Sequence, residues 1–380
     1  MPSHNSKNLP EHHNDSLRLK IDLSALRDNW HDMNTLSGSA RTAAVVKGNA
    51  YGLGFEKIAQ TLYKAGAKDF FVAYVEEGAR LRPHIPEATI FVLNGIWPGQ
   101  EKILLKENLI PVIASSEQLD FYSQFIANCS SCPCALQVDT GFNRLGINIA
   151  KALNFSKILS FKKNFKLSLI LSHLICADNP DSPRNFSQLQ SFSSFVSNYK
   201  GVEASLSASA GILLGKNYHF QLTRPGISLY GGTNTINKLH PMRTVVTAEA
   251  RIILIRQALS GEVVSYGGEK TLKRDSLIAV AAIGYSDGYP LSLSGIDSEN
   301  GTSRLSGGKG FVKGHFVPIL GKITMDMTMF DITDAPGIQV GDYIQIFGPN
   351  IKLDEIALAA GTTNYELLVK LGIRYARYYV

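Results

Sequence analysis

Ala43-Ala-Val-Val-Lys47-Gly-Asn-Ala-Tyr51-Gly-Leu-Gly54-Phe55 runs through three kinds of structure before residue 65. Ala43 to Val46 is a short apolar run with two β-branched residues, the pattern of a strand buried on both faces. Lys47 ends it, and Gly48, Gly52 and Gly54 mark a turn. From Phe55 to Ala65 the apolar residues Ile58, Ala59, Leu62 and Ala65 fall on one helical stripe. Strand, turn and helix make one β/α unit. A long amine closing a buried strand, with the polar aromatic Tyr51 behind it, is the layout of a lysine that forms a Schiff base with a cofactor aldehyde. The plain alternative is a solvated surface lysine, the commonest fate of that side chain.

The unit repeats. Apolar, β-branched runs recur at 69 to 75, 88 to 93, 110 to 114, 134 to 139, 166 to 172, 203 to 208 and 222 to 229. Helical patterns separate them at 76 to 81, 116 to 125, 149 to 159 and 186 to 196. Eight strands with crossover helices predict an α/β fold, a (β/α)8 barrel of the TIM type over residues 17 to 240. In such a barrel the chemistry sits at the C-terminal ends of the strands, where Lys47, Arg144, His173, Ser209 and Arg224 all fall. From about residue 241 to 380 the texture changes to strand-like runs joined by glycine turns such as Tyr266-Gly267-Gly268, closed by helical stretches at 354 to 360 and 365 to 371. That predicts a second, mostly β domain.

Composition narrows the function. A chain of 380 residues, 44% hydrophobic and 18% charged, can bury two cores. The net charge of +6 is scattered, without a basic run interleaved with aromatics, so no nucleic-acid partner is expected. No stretch approaches 18 apolar residues, and Met1 to Ser16 is polar and rich in His and Asn, which predicts a disordered leader, no membrane association and a cytoplasmic protein. Three of the four cysteines, Cys129, Cys132 and Cys134, share one stretch, but no second Cys pair or His cluster lies at ligand spacing; reduced thiols and no metal are expected.

Seven motifs carry a resemblance: Ala44-Val-Val-Lys-Gly-Asn-Ala-Tyr-Gly-Leu-Gly54, Asp139-Thr-Gly-Phe-Asn-Arg-Leu-Gly146, Leu171-Ser-His-Leu-Ile-Cys-Ala-Asp178, Arg224-Pro-Gly-Ile-Ser-Leu-Tyr-Gly231, Gly284-Tyr-Ser-Asp-Gly288, Met325-Asp-Met-Thr328 and Thr363-Asn-Tyr-Glu366. In this order, from about residue 17 to the C-terminus, they resemble the alanine racemase family. The resemblance implies pyridoxal 5'-phosphate (PLP) as cofactor, L- and D-alanine as substrates and a role in supplying D-alanine for peptidoglycan. Broader action on small amino acids such as serine, a non-catalytic PLP-binding protein, and a decarboxylase or aldolase on the same plan are the alternatives. The carrier would lack the β domain and Tyr285.

Racemisation needs proton-transfer groups on both faces of the α-carbon, because one base returns the proton to the face it came from. The resemblance implies that Lys47 bears the cofactor and serves one face, and that Tyr285, entering from the neighbouring subunit of a homodimer, serves the other. An ordinary tyrosine titrates near ~10, so a phenol in that role needs cations nearby. Arg224 is implied to face the cofactor's ring nitrogen, with His173 beside the ring linking Arg224 to Tyr285 by hydrogen bonds. Tyr51, Ser209, Gly226, Ile227 and Tyr365 match the family's phosphate contacts, and Arg144 its partner for the substrate carboxylate, with the Met325 backbone as companion from the other subunit. Asp139 either orients a site group or caps its turn. Gln137 stands where many members carry a carbamylated lysine that holds the arginine, and Ala208, Gly48 and Leu53 replace the usual Asn, Ala and His.

Overall fold

The computed structural model describes residues 15–128, 132–153, 165–233, 242–297 and 307–380. The expected leader, apart from Asp15 and Ser16, Cys129 and most of the expected domain join lie outside the described residues. The chain forms two compact units, one of residues Asp22–Val245 with Tyr379–Val380, the other of Val246–Tyr378 with the segment ending at Ile21.

The first unit is the barrel. Its strands Ala44–Val45, Asp69–Val72, Thr89–Val92, Leu109–Ile113, Cys132–Asp139, Phe165–Leu171 and Glu203–Ser205 lie side by side in that order, every pairing parallel. Leu222–Thr223 pairs in parallel with Arg41–Thr42, at the start of the first stave. The ring closes on backbone bonds: Arg224 N to Ser207 O at 2.9 Å on one side, Ala43 N to Thr223 O at 2.9 Å on the other. Asp69–Val72 is buried at all four positions, which is why these strands read as unbroken apolar runs rather than alternations. Inside, Phe71 stacks on Phe91 with centroids 4.7 Å apart, a contact that adds about 0.5–1.5 kcal/mol beyond the area it buries. The helix Phe55–Ala65 begins after Gly54 and stops at Gly66, and it buries Phe55, Ile58, Ala59 and Leu62. Spacings of three and four residues keep those side chains on one buried face.

The second unit is an antiparallel sheet. Ser276–Ala281, Thr328–Asp331, His315–Leu320, Lys309–Val312, Tyr343–Phe347 and Val246–Ala258 follow one another, and Val246–Ala258 also pairs with Ser276–Ala281, closing a ring. Closure removes the open edges that invite strand addition. Leu17–Ile21 pairs antiparallel with Val246–Ala258, Leu17 opposite Ala250. The sequence predicts residues 17 to 21 as part of the barrel; they belong to this sheet instead. Leu17, Leu19 and Ile21 are buried and Arg18 and Lys20 are only partly so, a face that an antiparallel sheet accommodates and a barrel stave buried on both sides does not. The short helices Leu353–Ala359 and Asn364–Val369 complete the unit.

Candidate active site

Lys47 stands at the C-terminal end of the first stave, where Val46 N still bonds to Phe71 O at 2.9 Å. The chain then makes a turn of the left-handed sense: Gly48, Asn49 and Ala50 have φ of 63°, 55° and 52°, and Tyr51 follows at 56°. Left-handed geometry costs L-residues about 1–2 kcal/mol each, so something must hold it. Gly52 N bonds back to Gly48 O at 2.8 Å, Phe55 N donates to Asn49 Oδ1 at 3.1 Å, and Gly48 N donates to Glu77 Oε1 at 2.7 Å. Glu77 Oε2 accepts from Ala73 N at 2.7 Å, so one carboxylate ties the lysine turn to the end of the neighbouring stave. Lys47 keeps an exposed face, yet the protein packed around its amine, with the Arg144 and Arg224 cations, holds its pKa below the ordinary lysine range; Glu77 pulls the other way.

The turn aims Tyr51 inward. Its ring lies 4.6 Å from that of Tyr230, whose hydroxyl donates to Val45 O at 2.8 Å. A Cβ placed on Gly226 would come within 2.3 Å of Tyr51 Oη, so only glycine admits this approach. Ser209 Oγ accepts from Gly226 N at 2.9 Å and from Ser228 N at 3.3 Å. Ile227 opens the short helix Ile227–Tyr230, where a backbone N–H has no acceptor within the helix. The structure therefore gathers Tyr51, Ser209, Gly226 and Ile227 into one cluster of donors at the mouth of the barrel.

Arg224 is buried, and its guanidinium donates to Ser205 Oγ, to Ser172 O at 2.7 Å and to Leu206 O at 3.4 Å. Burial lowers its pKa to about 10, still high enough to keep it charged near neutrality. His173 follows the strand Phe165–Leu171, and its ring lies 5.6 Å from that of Phe142. Burial, then the charges of Arg224, Arg144 and Lys47, push its pKa down to about 3, so the imidazole is neutral. The expected hydrogen bond between Arg224 and His173 is absent among the described residues, because the nearer Ser172 carbonyl and Ser205 hydroxyl take the guanidinium N–H groups. Charge, not a shared proton, couples the two.

Asp139 caps its turn. Oδ1 accepts from Gly141 N and Phe142 N at 2.8 Å each, and Oδ2 from Asn143 N at 3.0 Å. Gln137 does not reach the arginine; its Nε2 donates to Leu145 O at 3.0 Å. Arg144 is exposed, with its guanidinium 4.1 Å from the centroid of Phe142.

The remaining residues belong to the β unit. Tyr285 opens the turn Tyr285–Asp287 with its side chain 46% exposed, and Met325 is exposed beside it. Tyr285 N bonds to Thr324 O at 3.0 Å and Ser286 N to Met325 O at 3.1 Å, so the two turns are joined backbone to backbone. Gly284 packs on the same carbonyl, with no room for a Cβ. Arg374 clamps both turns: Nε and Nη2 grip Asp287 at 2.6 and 2.7 Å, and Nη1 reaches Asp326 at 2.7 Å. Tyr365 lies on the helix Asn364–Val369 with its side chain partly exposed.

Glu77, Tyr230 and Arg374 were not singled out from the sequence. Glu77 had a usable signal, an acid in the first turn of the helix Val75–Leu81 that follows a stave. Among the described residues no group of three His, Cys, Asp or Glu side chains is placed to hold a metal, and no helix is long and apolar enough to cross a membrane. Cys132 and Cys134 are buried.

A (β/α)8 barrel with a lysine and a cluster of polar groups at its mouth, joined in one chain to a closed β unit, is the plan of an enzyme. The family model for the alanine racemase N-terminal domain matches residues 21–234, and that for the C-terminal domain matches residues 245–379. The chain is 55% identical over 366 residues to the biosynthetic alanine racemase of Agrobacterium fabrum, covering 96% of this chain and 94% of that one. It is 48% identical over 373 residues to the alanine racemase of Rhizobium meliloti, covering 98% of each. The crystal structure of the Bartonella henselae alanine racemase, which has covalently bound pyridoxal phosphate, superposes with a TM-score of 0.89 at 32% identity, over 96% of this chain and 99% of that one. The chain belongs to the alanine racemase family.

Proposed function

We propose that this protein is a cytoplasmic, homodimeric, PLP-dependent racemase that interconverts L- and D-alanine and supplies D-alanine for peptidoglycan. The observation that carries the reading is Lys47, an accessible amine with a lowered pKa at the end of a barrel stave, facing a neutral imidazole and two arginines. The donor set suits a phosphate-bearing aldehyde. Lys47 supplies the amine for the aldehyde. Ser209 Oγ, the Ile227 amide and the Tyr51 hydroxyl, gathered where a Cβ on Gly226 has no room, suit the phosphate, and the Gly226 amide joins them by exchanging its bond to Ser209 Oγ for one to the phosphate. The supply of D-alanine for peptidoglycan draws on the relative named as biosynthetic.

When bound, PLP supplies the electron sink that makes the alanine Cα–H acidic. Lys47, its charged form disfavoured by burial and by neighbouring cations, takes and returns the proton on one face. Tyr285 of the partner subunit exchanges the proton on the other. Arg144 receives the substrate carboxylate through paired N–H donors, with the Met325 backbone from the partner as a further contact. Arg224, still cationic with a pKa of about 10, would hold the ring nitrogen through an N–H that Ser205, Ser172 and Leu206 leave over, without releasing its proton. His173 stays neutral and adds no further charge beside these cations.

Mixing two inactive variants tests this reading. Lys47→Ala and Tyr285→Phe are each expected to be inactive as homodimers, but random mixed dimers contain one site with both groups intact, restoring about a quarter of wild-type activity. Mixed dimers that form and remain inactive would sink the assignment.

A further inference from the structure

Arg144 is exposed at a loop tip, yet its guanidinium has a definite seat. Among the described residues no carboxylate lies within ion-pairing distance of it, and the nearby Gln137 amide is engaged by Leu145 O at 3.0 Å. The guanidinium instead lies over the Phe142 ring, 4.1 Å from its centroid. That ring is backed by His173 at 5.6 Å, and the Phe142 amide is fixed by the Asp139 carboxylate at 2.8 Å. A carboxylate anchored at a strand end therefore holds the loop, the loop holds the ring, and the ring holds the cation. An aromatic face attracts a cation through its quadrupole and adds no opposing charge.

We propose that Phe142 is the positioning residue for Arg144, holding the guanidinium in place of an acidic partner and leaving its whole charge for the substrate carboxylate. The inference rests on the reading of Arg144 as the carboxylate receptor. An acid in the same seat would compete with the substrate for the same N–H groups, whereas the ring lies against the flat face and leaves the donating edge open. Holding the donors in one orientation before binding lowers the ordering cost that each substrate would otherwise meet.

The test uses the holoenzyme and propionate, which has alanine's carbon skeleton and carboxylate but no amine, with Kd read from the change in the cofactor absorbance band on titration. Phe142→Leu is expected to weaken propionate binding about three- to five-fold, the range a partly exposed cation–π contact supplies. The KM for alanine should rise in step, with the loss in KM rather than kcat. Phe142→Tyr, which keeps the ring, should restore affinity to within about two-fold. Unchanged propionate binding in Phe142→Leu, or Phe142→Tyr as weak as Phe142→Leu in a protein whose circular dichroism shows it folded, overturns the proposal. Arg144→Met separates the two levels: if it leaves propionate affinity intact, the receptor reading itself is wrong.

Discussion

Replacing Arg374 by Met should loosen the turn that presents Tyr285 without touching the barrel. Asp287 is 1% exposed, and two of its closest contacts are the Arg374 bonds at 2.6 and 2.7 Å. Once the arginine is gone, the Asp287 carboxylate keeps the Gly284 N–H at 3.0 Å. Stranding a fully buried partner costs roughly 3–5 kcal/mol, but Arg374 is nearly half exposed and water can enter where it stood, so about 2–3 kcal/mol is the expected loss. That energy should appear locally as easier opening of the joined turns. Hydrogen exchange at Tyr285 and Ser286, whose amides bond to Thr324 O and Met325 O, should accelerate about 30- to 150-fold, while amides of the helix Phe55–Ala65 hold their protection. Adding Asp287→Asn removes the stranded charge and should recover at least ~1 kcal/mol of the loss, the signature of a coupled pair. Exchange at both amides within about threefold of wild type, or no recovery in the double variant, would refute the clamp.

Gly226→Ala sets a methyl 2.3 Å from Tyr51 Oη and 3.1 Å from Cζ, so Tyr51 must leave its place on Tyr230. Overpacking of this kind costs about 1–3 kcal/mol, and equilibrium dialysis should show PLP affinity falling roughly 5- to 150-fold; an unchanged affinity would move the phosphate elsewhere. His173 gives the apoenzyme a pH dependence. Its folded pKa of about 3 lies below that of the unfolded chain, so the unfolded state binds a proton that the folded state refuses across that interval. Stability from this group is therefore present above the ordinary histidine value near ~6.5 and falls on acidification by up to about 1.4 kcal/mol per pH unit. Urea denaturation followed by the fluorescence of Trp30 and Trp97, both in the barrel, should show this slope in wild type and a flatter one in His173→Asn; equal slopes would contradict the neutral buried imidazole.

The barrel was legible because each stave is buried on both faces and reads as a bare apolar run, and the helix Phe55–Ala65 was legible to the residue because glycines bracket it. Leu17–Ile21 shows how locality limits such reading. Its alternation announces a strand, but its partner Val246–Ala258 lies more than two hundred residues away, and nothing local says which unit it joins. The helix Leu23–Ser37 went unread although Asp22 caps it through Ala25 N and Ala25, Leu26, Trp30 and Met33 are buried along it. At the site, strand-end position marked Lys47, Arg144, His173, Ser209 and Arg224. Glu77, Tyr230 and Arg374 act on backbone groups that only folding brings within reach, Gly48 and Ala73 for the first, Val45 for the second and the Asp287 turn for the third. The Arg224–His173 link failed for the same reason, since Ser172 O and Ser205 Oγ are acceptors that no motif advertises.

The turn after Lys47 winds against the handedness of an ordinary α-helix such as Phe55–Ala65, and Asn49, Ala50 and Tyr51 lack the freedom of glycine. Its conformation is the natural one for mirror-image residues. A chemically assembled chain carrying D-alanine at position 50 would therefore relax by roughly 1–2 kcal/mol at the spot where its L-counterpart is strained. The preference for L-residues on which the rest of the fold depends is reversed beside the lysine proposed to erase that same distinction in its substrate.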